Sequence, residues 1–256
     1  MKQANITQRH PLVAGLGLVF LLSLSIAPAL AEDEAPEFML SVLSMDIKYG
    51  HVSDMMDGIA AWKECYLEHE GETDWNVWRR MHGEGPNVVV SFLMDSWADL
   101  DNQDEASQAC QDIAQERINP HVRHSDSSFL RFLPGHSRTL GEPANVIRVT
   151  SFRVNDMRTF RSHIETAIGA QREAEGDARG YWYGVMGGPA DRAHFMVVNG
   201  FDDFAGLDRA RERDSLYDLV KNHHGEAAAE EWRQQFMDTV TASWSYVYRR
   251  DADRSR

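Results

Sequence analysis

The stretch EGETDWNVWRRMHGEGPNVVVSFLMDSWADLD, Glu70 to Asp101, decides the fold, because a near copy, EGDARGYWYGVMGGPADRAHFMVVNGFDDFAGLD, runs from Glu175 to Asp208. Glu70, Gly71, Met81 and Gly83 recur as Glu175, Gly176, Met186 and Gly188 at a constant offset of 105, whereas Ala98, Leu100 and Asp101 recur as Ala205, Leu207 and Asp208 at 107. A short insertion in the intervening turn accounts for the change. An echo at fixed spacing marks a duplicated unit.

Working outward from the first copy, residues 38–45 (FMLSVLSM) form an apolar run suited to a buried strand. Residues 51–69 carry Met55, Met56, Ile59, Trp62 and Tyr66 at helical spacing, with Ser53 or Asp54 as N-cap and Gly71 as the stop. Strands at 75–81 and 87–94 flank Gly83, Gly85 and Pro86, a hairpin signal. A helix over 105–118 ends before Pro120, and a strand over 127–133 ends at Pro134 and Gly135. The second copy repeats the order: strand 145–154, helix 157–173 capped by Asp156, strands 181–186 and 193–199, helices 207–222 and 226–241, strand 243–248. Each half therefore reads β-α-β-β-α-β, the split βαβ unit with two helices on one sheet face. Val88, Val89, Val90, Phe92 and Leu93 do not alternate with polar residues, so the other face is also expected to be covered. The expectation is an α+β protein: two ferredoxin-like units, 38–135 and 145–249, joined by a linker at 136–144 and packed sheet to sheet, with 250–256 as a charged tail. Two separate plaits facing other molecules are the alternative.

This element order, the strand ending in 88–94 followed by DSWADLD, its counterpart 195–199 followed by FDDFAGLD, and the tryptophan-rich second strand resemble the dimeric α/β-barrel superfamily in tandem single-chain form. The resemblance covers residues 38–248. It implies that the two sheets close as an intrachain α/β barrel, with a pocket in the barrel or between sheet and helices. The activities it brings are cofactor-independent monooxygenation, haem degradation, haem peroxidase chemistry and isomerisation, alongside members with no known chemistry.

The amino terminus adds an address. Lys2, Arg9 and His10 precede an apolar run from Leu12 to Ile26, then Ala29-Leu30-Ala31 and the acidic Glu32-Asp33-Glu34, the order of a secretory signal peptide spanning 1–31. The run of about 15 apolar residues is short of the roughly 20 that cross a bilayer. Residues 32–37 read as a flexible leader. Export implies the periplasm of a Gram-negative bacterium or, otherwise, the extracellular medium. Removing Lys2 and Arg9 moves the formal charge from −14 to −16, which argues against nucleic acid or anionic lipid as partner. Cys65 and Cys110 lie in helices on either side of the hairpin, and in an oxidising compartment they are expected to form a disulfide; two buried thiols are the alternative.

Chemistry is harder to place. His82, at the end of the second strand, and His194, in the corresponding hairpin, are the positions from which haem could be ligated or a proton accepted near neutral pH. A turn or hydrogen-bonding role is the alternative for each. His223-His224, His121 and His124 complete no recognised set of metal ligands, so no metal is expected. Along the second strand, Trp75, Val77, Arg79 and Met81 share one face and Asn76, Trp78, Arg80 and His82 the other. Trp182 and Tyr183 stand at the equivalents of Val77 and Trp78, so one of these faces is expected to line an aromatic pocket, drawn from Trp78, Trp182 and Tyr183, with Arg79 or Arg80 at its mouth and Tyr66, Tyr183 and Asn199 as polar additions, suited to a planar, aromatic or anionic ligand. Large aromatics filling a wide core are the alternative. No nucleophile elbow, phosphate loop, redox CxxC or dinucleotide fingerprint occurs. The sequence thus points to an exported small-molecule-binding or structural protein, with a cofactor-independent monooxygenase-like or haem-handling enzyme as the alternative, and leaves open whether there is catalysis. The secreted chain is expected to begin at Glu32; mass spectrometry finding residues 1–31 still attached would overturn the export reading.

Overall fold

The computed structural model describes residues 37–102 and 104–256. The signal peptide at 1–31 and all but Glu37 of the leader lie outside them. Each half carries the expected order. In the first, β1 (Met39–Ile47), α1 (Val52–Glu68), β2 (Trp75–His82), β3 (Asn87–Met94), α2 (Glu105–Ala109), α3 (Gln111–Arg117) and β4 (Val122–Phe132) follow one another; in the second, β5 (Val146–Val154), α4 (Met157–Glu175), β6 (Tyr181–Gly187), β7 (Phe195–Phe201), α5 (Ala205–Arg211), α6 (Leu216–His224), α7 (Glu226–Thr239) and β8 (Val240–Arg250) do. All eight strands form one closed antiparallel barrel in the order β1-β3-β2-β8-β5-β7-β6-β4. The halves are thus joined by backbone ladders and not only by packed faces. Trp78, Arg79 and Arg80 pair with Arg250, Arg249 and Tyr248 at one seam, and Leu130, Arg131 and Phe132 pair with Val185, Gly184 and Tyr183 at the other.

The strands explain the non-alternating run. Val88, Val90 and Phe92 pack with Met45, Ile47, Trp75 and Val77 against Met55, Met56, Ile59 and Tyr66 of α1. Their neighbours Val89, Ser91 and Leu93 point into the barrel, as pleating requires. In the second half Phe152, Val154, Phe195 and Trp182 pack against Phe160, Ile164 and Ile168 of α4 and Phe236 of α7. Asp156 caps α4, accepting from the Arg158 and Thr159 amides at 2.9 and 3.1 Å.

Several boundaries differ from expectation. The first helix starts at Val52 with His51 at its N-cap, and neither Ser53 nor Asp54 caps it. It is stopped by Glu70, whose φ is 57°, because Gly71 lies against the Tyr66 ring where a Cβ would not fit. In the second copy the left-handed residue is Gly176 itself, φ 84°. The helix expected over 105–118 breaks at Cys110, and the one expected over 207–222 breaks before Ser215, whose hydroxyl caps α6 by accepting from the Asp218 amide. Cys65 and Cys110 are disulfide-bonded, with Cα atoms 5.9 Å apart, tying α1 to the α2–α3 junction. The segment expected as a charged tail is packed onto the first half. Val77 N donates to Ser255 Oγ, Trp75 Nε1 to Arg254 O, and Arg254 Nε to Met56 O.

Two glycines test the packing in opposite directions. A Cβ at Gly58 of α1 would run into the backbone carbonyl of Arg117, whereas one at Gly169 of α4 meets open space. Gly58→Ala is expected to destabilise by about 1–3 kcal/mol, and Gly169→Ala to stabilise by roughly 0.5–1 kcal/mol. Urea denaturation of both variants checks the pair, and equal midpoint shifts would contradict it.

Candidate functional site

Partners in an antiparallel ladder share a face, so the register identifies the barrel lining. Leu40, Val42, Tyr181, Val185, Met196 and Val198 pack around buried Leu130, Phe132 and Tyr183 in a cluster that contains no helix residue, which places it inside the barrel. Across the lumen, Ile147, Val149 and Ser151 face Tyr248, Tyr246 and Trp244, and Trp78 donates through Nε1 to Ser91 Oγ at 3.1 Å. These two sides differ from the helix-facing cores in exposure. Trp78, Val89, Ile147, Val149, Trp244 and Tyr246 are all half-buried, although no edge of the sheet is open beside them. Solvent reaches an aromatic-lined interior.

Cations and acids cluster towards one end. The Arg80 guanidinium lies 4.8 Å from the Tyr246 ring centre and donates to Gly85 O, and that of Arg153 lies 5.7 Å from the Trp244 ring. Asp46 lies 3.2 Å from Arg123 and 3.8 Å from Arg80, and accepts from Asn87 Nδ2 at 3.1 Å. Asn87 is 5% exposed, and its Oδ1 has no partner among the described residues. Burial pushes the Tyr248 phenol up to about 12 and raises those of Tyr183 and Tyr246 as well. All three remain protonated donors at neutral pH, so none is a base. At the rim, His124 Nε2 sits 2.9 Å from Asp126 Oδ2. They are alternate residues of β4, opposite Asp46 and Ser44 of β1, and therefore on its lumen face. A carboxylate that orients an imidazole gives that ring the means to accept a proton. The signal missed in the sequence was this i, i+2 spacing on a strand.

The six residues read from the sequence as one pocket fall on two faces. Trp78 and Tyr183 line the lumen. Trp182 lies in the helix-side core, stacked 5.8 Å from Phe152. The Tyr66 hydroxyl donates to Asp104 at 2.9 Å and accepts from Thr73 N, a buried structural bridge. Asn199 donates to Arg179 O, fastening the loop before β6. Arg79 is exposed on the outer face, where it lines a groove of about 700 Å³ with Phe204, Arg249, Arg250, Asp202 and Asp251. Of the two arginines read at the pocket mouth, Arg80 lies on the lumen face beside Tyr246 and Arg79 does not, because adjacent residues of a strand point to opposite sides.

The same geometry bears on haem ligation by the two histidines read from the sequence. A β-bulge between Arg80 and His82 pairs His82 with Val247, so its ring leaves the lumen face and is exposed. His194 Nδ1 accepts from Val154 N at 3.1 Å, a cap on the end of β5. In the second half the sheet-to-helix space is filled by Phe152, Phe160, Phe195 and Phe236 around Trp182. These residues do not fit a haem ligated by His82 or His194. His163 is also buried there, stacked on Trp232 at 4.2 Å with Nδ1 unpartnered among the described residues. Burial drives its pKa down to about 4.

Neither a family model nor a curated protein matches the chain. Solved structures do match its fold. An anthrone oxidase-like protein aligns over 87% of this chain and 94% of its own at 10% identity and a TM-score of 0.53. Chlorite dismutase from Candidatus Nitrospira defluvii, in complex with imidazole, aligns over 86% and 93% at 8% identity and a TM-score of 0.51. A candidate monooxygenase from Lactobacillus acidophilus NCFM aligns over 84% and 94% at 12% identity and a TM-score of 0.50. At such identities the likeness is one of fold. No helix among the described residues is long and apolar enough to cross a membrane.

The neutral His163 predicts a pH dependence. Its folded pKa near 4 lies below the ordinary 6.5, so its contribution to stability is complete above about 6.5 and is lost as pH falls towards 4. A His163→Phe variant, which keeps the stack on Trp232, is expected to show a shallower fall in melting temperature over that window. Parallel slopes for variant and wild type would refute the assignment.

Proposed function

We propose that the barrel lumen binds a planar aromatic small molecule and that the chain acts on it oxidatively, as a monooxygenase-like enzyme and not as a purely structural protein. The observation that carries this reading is the half-exposed aromatic lining, Trp78, Trp244, Tyr246 and Tyr181, inside a closed barrel. A closed eight-stranded sheet is just wide enough to be filled by its own side chains or to hold one small ligand. Stacking surfaces facing reachable space suit the second use. The names of the anthrone oxidase-like protein and the candidate monooxygenase support the oxidative part.

A cofactor-independent reaction of this class consumes one molecule of dioxygen at an activated methylene. The methylene carbon gives up both hydrogens and gains one oxygen atom as a carbonyl, and the other oxygen atom leaves with those two hydrogens as water. The reaction begins with removal of a proton from the substrate. The His124–Asp126 pair supplies an acceptor at the rim, while Tyr248, Tyr246 and Ser91 offer hydroxyls within the lumen. Haem handling is the competing oxidative reading; the name of the chlorite dismutase supports it, and the placement of His82 and His194 speaks against those two residues as its ligands. Export also belongs to the proposal, and the Cys65–Cys110 disulfide supports an oxidising compartment.

Calorimetric titration with dithranol, a planar anthrone, under nitrogen tests binding, and oxygen uptake in air tests turnover. Trp78→Leu and Trp244→Leu are each expected to weaken binding about two- to tenfold, since an aromatic contact contributes roughly 0.5–1.5 kcal/mol. His124→Gln is expected to leave binding intact and lower oxygen uptake by about a hundredfold or more. Loss of binding in Arg79→Ala, with the tryptophan variants unaffected, would move the ligand to the outer groove and overturn the lumen assignment. A Soret band in freshly purified protein would favour haem.

A further inference from the structure

The chain carries a second cluster of reactive side chains, outside the barrel, that neither the fold nor the lumen uses. His51 precedes α1, Asp54 is in its first turn, and His121 ends the short turn of helix, Asn119–His121, that leads into β4. Their ligating atoms all lie within 4.8 Å of one another. His51 Nδ1 and His121 Nδ1 are 3.0 Å apart, and His51 Nδ1 is 3.8 Å from Asp54 Oδ2. Both imidazoles are half-buried and Asp54 is exposed.

We propose that His51, His121 and Asp54 bind a single transition-metal cation, with Zn2+ as the reference ion. Two nitrogens bound to one zinc at about 2.0–2.1 Å lie roughly 3 Å apart at a right angle and about 3.4 Å apart at the tetrahedral angle. The observed 3.0 Å falls at the right-angle end of that range, and tetrahedral coordination needs the two nitrogens to part by about 0.4 Å. The Asp54 oxygen has to approach by about an ångström, within reach of an exposed side chain. Two neutral imidazoles and one carboxylate form a borderline N/O set of the kind zinc, nickel and copper accept, and three protein ligands leave a coordination position open.

The backbone holds the two rings in place. Lys48 N donates to His121 O at 2.9 Å, His51 N to Lys48 O at 3.1 Å, and Met55 N to His51 O at 3.0 Å. The Cys65–Cys110 disulfide further ties α1 to the segment that leads to His121. The arrangement thus exists before any ion arrives, so binding involves little ordering of the chain. Two features act against a cation. One is the positive end of α1, and the other is the Lys48 ammonium, which is directed to Pro120 O at 2.6 Å. Together with the exposure of Asp54 they set an expected affinity in the micromolar range. The competing account of the close contact is a hydrogen bond between a protonated and an unprotonated Nδ1, which predicts no metal affinity.

Calorimetry with zinc chloride on untagged, disulfide-intact protein decides between them. His223 and His224 are replaced by alanine in every sample, because adjacent histidines can bind zinc weakly. One equivalent is expected to bind, with affinity falling at least tenfold in His51→Ala and in His121→Ala, and by a smaller factor in Asp54→Asn. Melting curves supply the second readout. Zinc is expected to raise the transition of the parent protein and to leave that of His51→Ala unmoved, while the two proteins melt alike in a chelator. Cobalt absorption distinguishes coordination by these residues from loose surface association. No heat at 100-fold molar excess of zinc, or unchanged affinity in both histidine variants, would overturn the site.

Discussion

The backbone ladders that join β2 to β8 and β6 to β4 are the constraint on which the rest depends. Without them each half is a four-stranded sheet with helices on one side, an apolar surface on the other and unpaired amides along two edges. Closing both seams satisfies the edges together and converts the second surface into a lumen. It also decides which aromatic residues meet. Trp78 from the first half and Tyr246, Tyr248 and Trp244 from the second come to share one stretch of the barrel's inner face only because β8 lies between β2 and β5.

The barrel separates two environments. Between sheet and helices the side chains are dry and interlocked, with Tyr66, Phe160, Val77 and Val88 almost wholly buried. Inside the barrel the equivalent strands present half-exposed rings, serines and a ring of charge around Asp46, Arg80 and Arg153. The outer faces are thus packed cores, whereas the inner face joins a buried apolar cluster to half-exposed aromatic and polar side chains. Such a division frees the lining residues to vary in chemistry without unpacking the helices.

Much of this was legible in the sequence because it was written in spacing. The constant offset of 105 places Val77 and Trp182 on the helix side and Trp78 and Tyr183 in the lumen, so the repeat preserved face as well as order. Gly83 and Gly188 adopt φ of 131° and 150°, a backbone requirement that explains why that pair recurs. The Cys65–Cys110 link followed from two helices sharing a face. What could not be read was anything that depends on a local irregularity or a distant contact. One bulge after Arg80 reverses His82, and alternation alone gives no warning of it. His51 and His121 are 70 residues apart and meet through the turn before β4. The closing segment, polar enough to read as solvated, hides Ser255 against β2 because its hydroxyl satisfies a buried strand amide.

That same segment bears on how the chain reaches this state. Bonds such as the one from Val77 to Ser255 span 178 residues, so the seam beside β2 is among the most non-local features of the molecule. Topologies of this kind are slow to assemble. During the wait β2 presents a bare strand edge to other chains, and it is rich in aromatic residues. A partner that shields nascent strands would therefore matter more to the yield of this protein than to its final stability.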